Sequence, residues 1–268
     1  MVIGKREFDL VNGCYIMGIL NVTPDSFSDG GLWNDTDKAC RRVDEMIEQG
    51  ADIIDVGGES SRPGHEKISA QEEIGRILPI IEALRSRFDV PISIDTCKSE
   101  VAKAALSAGA DMGNDIWGFK SDPKMASVIA AAGVPCCLMH NREDMDYGEF
   151  IPDMLSDLKV SVELSRAAGI ADEKIILDPG IGFAKTHEMN LEAINRLDAL
   201  CALGFPVLLG ASRKRVVGLT LDLPVEERVE GSVAAAVLGA VRGCCIVRVH
   251  DVKETFRAIK MTMAIIGK

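Results

Sequence analysis

Eight short apolar runs, each followed by a longer amphipathic stretch, set the tightest limit on what this chain can become. The runs lie at 15–21, 52–56, 92–95, 112–114, 136–139, 175–178, 207–209 and 245–249. Helix-like stretches follow them near 36–49, 70–87, 98–108, 123–132, 152–168, 188–203, 226–242 and 252–266. A continuous apolar run, as opposed to an alternating one, suits a strand covered on both faces, as parallel strands are. Strict alternation of strand and helix then predicts an all-parallel sheet with helical crossovers. Eight units fill one (β/α)8 TIM barrel without remainder, and the 268 residues are close to the ~250 such a barrel takes. No Pro/Ser-rich linker divides the chain, so residues 1–268 read as one α/β domain, with an open doubly wound sheet as the alternative.

Four junctions repeat one device. Gln49-Gly50-Ala51-Asp52, Ala108-Gly109-Ala110-Asp111, Ala132-Gly133-Val134-Pro135 and Leu203-Gly204-Phe205-Pro206 each precede a strand. A glycine just past a helix end takes the left-handed conformation that turns the chain back to the sheet. Ahead of the first strand, Lys5 to Gly13 contain an Asn12-Gly13 turn signal, which predicts a small hairpin closing the barrel floor.

Composition excludes several functional classes. A net charge of −11 argues against coating nucleic acid or an anionic membrane, so the expected partners are small molecules. Any anionic substrate must be held by a local cluster of basic groups and backbone N–H. The eight cysteines form no CxxC pair, and two doublets, Cys136-Cys137 and Cys244-Cys245, sit in apolar runs. That usage fits free thiols serving as small buried hydrophobes in a reducing cytosol. The start, MVIGKREFDL, lacks the apolar core of a signal peptide, and no run approaches the ~18 apolar residues of a membrane span, so a cytoplasmic protein is expected.

In such a barrel the active site gathers at the C-terminal ends of the strands. The residues following the apolar runs are Asn21, Asp55 to Arg62, Asp95, Asn114 with Asp115, His140, Asp178, Ser212 to Arg215, and Arg248 with His250. Every strand end delivers a polar or charged group, which points to an enzyme. Asp95, Asn114 and Asp178 offer acceptors and an amide suited to a heterocycle with an amino-pyrimidinone edge. The bland alternative makes each Asp a cap of the following helix. Asn21, Ser61, Arg62, Lys214, Arg248 and His250 form a second set suited to phosphate oxygens. Asn21 supplies a neutral oxygen fit for Mg²⁺, which keeps most of its waters and leans on substrate phosphates.

Two long segments carry a family resemblance. Ile19-Leu20-Asn21-Val22-Thr23-Pro24-Asp25-Ser26-Phe27-Ser28-Asp29-Gly30-Gly31 resembles the first signature of the dihydropteroate synthases. Asp55-Val56-Gly57-Gly58-Glu59-Ser60-Ser61-Arg62-Pro63-Gly64 resembles the second. Shorter similar segments follow in order: Ser93 to Thr96, Asn114 to Ile116, Leu138 to His140, Leu177 to Phe183, Ser212 to Lys214 and Arg248 to Val252. Together they span roughly residues 14–252. The resemblance implies condensation of a dihydropterin pyrophosphate with 4-aminobenzoate, in a homodimeric, Mg²⁺-using enzyme of a kind targeted by sulfonamides. It implies that Asp95, Asn114, Asp178 and Lys214 hold the pterin, with Met139 and Phe183 lining its slot. Arg248 would lie against the ring and reach the leaving group. Asn21 and His250 would hold pyrophosphate and Mg²⁺ with Ser61 and Arg62, and Phe27 and Pro63 would wall the aminobenzoate site near Ser212 and Lys214. Asp95, Lys214, Arg248 and Arg62 are the residues expected to carry catalysis.

Two departures stand out: Ser61 replaces a Thr common in the family, and Arg215 stands where a Ser is common. Arg215 is left with two readings, contact with the aminobenzoate carboxylate or exposure to solvent. The rival readings are a methyltetrahydrofolate–corrinoid methyltransferase, which would not need the pyrophosphate set, and a non-catalytic pterin-binding paralogue, which would be expected to have lost members of it. The run Val233-Ala234-Ala235-Ala236-Val237-Leu238 fits a dimer contact and serves equally well for packing a helix on the barrel.

Overall fold

A computed structural model describes residues 1–22, 32–59 and 67–268. Two short strands, β1 (Val2–Ile3) and β2 (Arg6–Glu7), precede eight longer-range ones: β3 (Tyr15–Asn21), β4 (Ile53–Gly57), β5 (Ile92–Asp95), β6 (Met112–Asp115), β7 (Cys136–Met139), β8 (Ile175–Asp178), β9 (Leu208–Leu209) and β10 (Ile246–Val249). The eight pair in parallel in the order β8-β7-β6-β5-β4-β3-β10-β9. The two ends of that order meet through a parallel bridge between Leu177 and Val207, with the Leu177 N–H donating to the Pro206 carbonyl at 2.9 Å. The sheet is thus a nearly closed barrel, as the alternation of runs predicts, and the open doubly wound sheet is excluded.

Side-chain alternation assigns each strand residue to one of two apolar cores. Ile54, Val56, Ile92, Ile94, Cys136, Leu138, Ile175 and Leu177 pack outward against the helices. Met17, Ile53, Met112, Cys137, Ile176, Leu208 and Ile246 point inward at the lower end. The same phase carries upward: two residues beyond Ile53 is Asp55, beyond Met112 is Asn114, beyond Ile176 is Asp178 and beyond Ile246 is Arg248. The interior therefore changes from apolar to polar along its axis.

The helices are α1 (Leu32–Glu48), α2 (Ala70–Arg87), α3 (Ser99–Ser107), α4 (Met125–Ala132), α5 (Phe150–Ala167), α6 (His187–Asn195), α7 (Leu197–Cys201), α8 (Arg215–Leu221), α9 (Val229–Val241) and α10 (Val252–Ile265). All four junction glycines adopt positive φ: 104° at Gly50, 110° at Gly109, 68° at Gly133 and 85° at Gly204. The stretch expected to be one helix at 188–203 divides at Arg196, whose φ of −106° and ψ of 27° leave the helical region. Helix α8 was not legible as periodicity, being only 7 residues long.

The floor is closed by a hairpin, but not the expected one. The strands pair Val2 with Glu7 and Ile3 with Arg6, and the chain turns at Gly4, whose φ is 59°. The Asn12-Gly13 signal lies beyond the hairpin, where the Asp9 carboxylate accepts from the Val11 and Asn12 N–H groups at 3.2 Å. Ile3 and Phe8 bury themselves in the lower core, each contributing about 1.5–3 kcal/mol. All eight cysteines are free, and among the described residues no helix is long and apolar enough to cross a membrane.

Candidate active site

Adjacent strand ends set the first row of polar groups. Register places Asn21 beside Gly57, Gly57 beside Asp95, and Asp95 beside Asn114. Across the barrel, Arg248 reaches back to this row. Its Nε donates to Asp55 Oδ2 at 2.6 Å and its Nη2 to Asp95 Oδ2 at 2.5 Å. Asn114 Nδ2 donates to the same Asp55 oxygen at 3.1 Å. Asp55 is fully buried, and its Oδ1 has no hydrogen-bond partner among the described residues.

The electrostatics follow from burial. Desolvation pushes the Asp95 carboxyl up to about 7, with Arg248 opposing the shift and Asp55 adding to it. Burial also works against the Arg248 charge, but Asp55 and Asp95 outweigh it and hold the guanidinium above its ordinary value. One guanidinium between two carboxylates leaves a net negative pocket wall when both are ionised.

The second group lies on β8 and the segments after β8 and β9. Asp178 Oδ1 accepts from the Gly180 N–H at 2.7 Å; burial raises its pKa while Lys214 lowers it. Lys214 Nζ donates to the Ile181 carbonyl at 2.6 Å and sits 4.9 Å from the centroid of the Phe183 ring. Burial brings this lysine down to about 8, against the pull of Asp178. Met139 is buried beside Asp178, its register partner. A Cβ on Gly210 would lie 3.7 Å from Asp178 Oδ2 and 3.8 Å from Lys214 Nζ, so glycine keeps the space between these groups open.

At the mouth, Ser212 Oγ accepts from the His250 N–H and lies 3.1 Å from its Nδ1. Arg213, between Ser212 and Lys214, has a φ of 57°. That conformation is held from three sides: its N–H donates to Ser232 Oγ at 2.8 Å, its carbonyl accepts from Arg228 at 3.1 Å, and its guanidinium forks onto Asp251. Over-determination of this kind lets a strained backbone persist where it aims a neighbouring side chain, here Lys214. Asn21 is exposed on the last residue of β3. Arg215 is exposed at the start of α8. A cavity of about 1000 Å³ opens from Asp95 over the ends of β5, β6 and β7, along Thr96, Lys98, Trp117, Lys120 and Arg142.

The expected set is thus brought together in large part. Asp95, Asn114, Met139, Asp178, Phe183, Lys214, Arg248, Ser212, His250 and Asn21 all gather at one end of the barrel. Phe27, Ser61, Arg62 and Pro63 lie outside the described residues. Asp115 and His140, also at strand ends, fall in the outward phase. Asp115 caps its own loop, accepting from the Trp117 and Phe119 N–H groups at 2.8 Å, and His140 is fully buried behind β7. The helix-cap alternative does not describe Asp95, which pairs with Arg248, and the amide that Asp178 takes, that of Gly180, belongs to a turn.

Two residues of the arrangement were given no role by the strand-end reasoning. Asp55 opens the polar stretch named at the end of its run but lies mid-strand, and its alternation phase with Ile53 places it inside. Lys185, in the turn after β8, carries no motif of its own and reaches the site's support only through folding.

The comparisons agree with this geometry. The family described as pterin binding enzyme matches residues 17–250. A dihydropteroate synthase of Clostridium beijerinckii is 58% identical over 269 residues, covering 100% of each chain. One from Bacillus subtilis is 56% identical over 253 residues, covering 94% of this chain and 89% of the relative. The crystal structure of a Clostridium difficile dihydropteroate synthase, obtained in the presence of pteroic acid, superposes with a TM-score of 0.95 at 49% identity, covering 98% of this chain and 100% of that one. A Yersinia pestis dihydropteroate synthase in a sulfonamide drug complex gives a TM-score of 0.92 at 41% identity, covering 100% of this chain and 98% of the other. These relatives leave the methyltransferase and the non-catalytic paralogue without support. The chain belongs to the pterin-binding enzyme family and, within it, to the dihydropteroate synthases.

Proposed function

We propose that this chain joins 6-hydroxymethyl-7,8-dihydropterin pyrophosphate to 4-aminobenzoate by loss of pyrophosphate before attack of the aryl amine. The observation that carries the mechanism is the inward-facing set of Asp55, Asp95, Asn114 and Asp178, crossed by Arg248 and Lys214. Asp178 and Asn114 take the pterin's ring N–H and amino donors, and Lys214 donates to its carbonyl. Met139 and Phe183 flank the slot, and Arg248 lies against the ring.

The reaction breaks the bond between the methylene carbon and the pyrophosphate oxygen, the electron pair leaving with pyrophosphate. The positive charge spreads into the pterin, and the negative wall of Asp55 and Asp95 stabilises it. The amine nitrogen then bonds to the methylene carbon and sheds its proton, which is acidic enough to need no strong base. No side chain forms a covalent intermediate. Burial pushes the thiol of Cys97, two residues from Asp95, up to about 12, which removes it as a nucleophile at neutral pH. Cys97→Ala should therefore keep turnover within about threefold in a steady-state assay.

At the mouth, Asn21 and His250, with Ser61 and Arg62, would take the pyrophosphate, and Phe27, Pro63 and Ser212 would border the aminobenzoate. The donor set suits Mg²⁺: an exposed carboxamide oxygen beside incoming phosphate oxygens, with no carboxylate or imidazole cage among the described residues. When bound there, Mg²⁺ supplies charge neutralisation of the departing pyrophosphate. The deciding assay is pyrophosphate release. It should require both substrates and Mg²⁺, and a sulfonamide should compete with aminobenzoate; release without aminobenzoate at the full rate, or methyl transfer from methyltetrahydrofolate, would defeat this reading.

The same reading includes a cytoplasmic homodimer. Its support is the set of exposed apolar side chains on α8, α9 and α10: Leu219, Leu221, Leu238, Val241, Met261 and Ile265. Apolar side chains left exposed on packed neighbouring helices suit a protein contact. The free, largely buried thiols fit a reducing compartment.

A further inference from the structure

Behind the pterin slot, on the side away from the substrates, lies a buried lysine that the reaction does not use. Lys185 is 9% exposed. Its Nζ donates to the Gly180 carbonyl at 3.0 Å and the Phe183 carbonyl at 3.0 Å, and lies 2.8 Å from His140 Nδ1. Burial brings Lys185 down to about 7; in its protonated form the ammonium carries three hydrogens and no lone pair, all three are spent here, and Nδ1 accepts. The His140 proton then sits on Nε2, which donates to Asp157 Oδ2 at 2.9 Å. Asp157 is fixed in turn by Arg142 Nε at 2.5 Å. Carboxylate, neutral imidazole and ammonium form one chain, with the imidazole polarised so that Nδ1 is the better acceptor.

What the chain holds is an unusual turn. Gly180, Ala184 and Gly182 have φ values of 70°, 43° and 87°. These left-handed residues are interleaved with ordinary ones, and the turn brings the carbonyls of 180 and 183 to one point, the Lys185 ammonium. Without the cation, two converging carbonyls would be left buried and unpaired, which is unfavourable. The same turn supplies both contacts of Lys214: the Ile181 carbonyl that accepts from its Nζ and the Phe183 ring beneath it. The strand end just before it is tied to the same histidine, since the His140 N–H donates to the Asp178 carbonyl at 2.8 Å. Burial brings His140 down to about 3, so the imidazole stays neutral across the working range.

We propose that Lys185 is a positioning residue for the synthase reaction, the cation around which the 180–183 turn is built so that Lys214 and Phe183 meet the pterin. This rests on the assignment of Lys214 and Phe183 to the pterin subsite. Its consequence is selective: loss of Lys185 loosens the pterin subsite and leaves the aminobenzoate side and the chemical step intact.

The test uses the full-length enzyme with steady-state kinetics in both substrates and a thermal melt as control. Lys185→Met should raise the KM for pterin pyrophosphate about tenfold, with the KM for aminobenzoate and kcat within about threefold. His140→Phe should reproduce this, because it removes the acceptor. His140→Asn should restore the original KM, because its amide oxygen stands close to where Nδ1 was. If Lys185→Met does not fold, the His140 pair carries the test alone. Folded variants with an unchanged pterin KM overturn the proposal, as does an equal loss in both KM values and kcat, or no rescue by Asn. Lys214→Met, measured in parallel, separates the two layers. If it leaves the pterin KM unchanged, the subsite assignment fails; if it raises the KM while Lys185→Met does not, only the positioning role fails.

Discussion

Arg248 spans two buried carboxylates, and substitution there acts on fold and activity together. Arg248→Ala would leave Asp55 and Asp95 without their cation, which for a buried pair costs about 3–5 kcal/mol. A urea melt should show that loss, and Arg248→Lys should recover only part of it, because an ammonium lacks the fork that serves both oxygens at 2.6 and 2.5 Å. The pH dependence follows from the two shifted groups. Asp95 titrates near 7 in the fold against 3.8 in the open chain, so the native state holds a proton the unfolded state has lost. Its contribution to stability is present below about pH 4 and is lost as pH rises toward 7. Productive capture of the pterin needs the ionised carboxylate and a protonated Lys214, whose pKa burial brings down to about 8. The profile of kcat/KM should therefore be a narrow bell with limbs near these values, and Asp95→Asn should remove the acid limb along with most of the activity. An acid limb that survives in Asp95→Asn assigns it elsewhere. Asp95, Asn114, Asp178, Lys214 and Arg248 were legible because strand ends meet at the barrel mouth. The role of Asp55 needed the alternation phase, and Lys185 needed its partners, which come from the residue after β7 and from its own turn and have no sequence spacing in common.

At the scale of elements, the strands were readable because burial on both faces leaves an unbroken apolar run, and all eight begin and end within one residue of the run that predicts them. The helices were readable where they are long. The break at Arg196 and the short α8 are set by packing and by the strained Ser212–Lys214 segment, neither of which has a period. The hairpin shows how a local signal misleads. Asn-Gly favours a tight turn, but the Asp9 carboxylate takes the amides of Val11 and Asn12, and the strands pair across Gly4 instead. The hairpin anchors through Ile3, which is fully buried. Ile3→Ala should lower stability by about 2–5 kcal/mol in urea titration. Because Ile3 packs on the lower layer, with Met17 and Ile53, both KM values should stay at the level of the unaltered enzyme.

For the whole molecule, the exposed apolar faces of α8 to α10 make association the expected state. Val241, 54% exposed, and Met261, 62% exposed, are the side chains to alter. Val241→Glu combined with Met261→Glu should shift a dimer to monomer in sedimentation velocity while leaving the barrel's circular dichroism unchanged; a monomer at the outset would remove this surface as an interface. The apolar run 233–238 did not decide the matter on its own, since one helix serves both purposes: Ala236 faces the core and Leu238 faces solvent.

The hairpin beneath the barrel also governs traffic. With Ile3 and Phe8 stoppering the lower end, the way in lies at the strand ends, and under that geometry whatever sits deepest is first in and last out. A pterin against Asp178 and Lys214 is covered by whatever occupies the mouth beside Ser212 and His250. Under the proposed sub-site assignment, turnover then becomes a queue: the finished product must clear the doorway before the next pterin passes, and a molecule resembling that product, once lodged, shuts out both substrates at once.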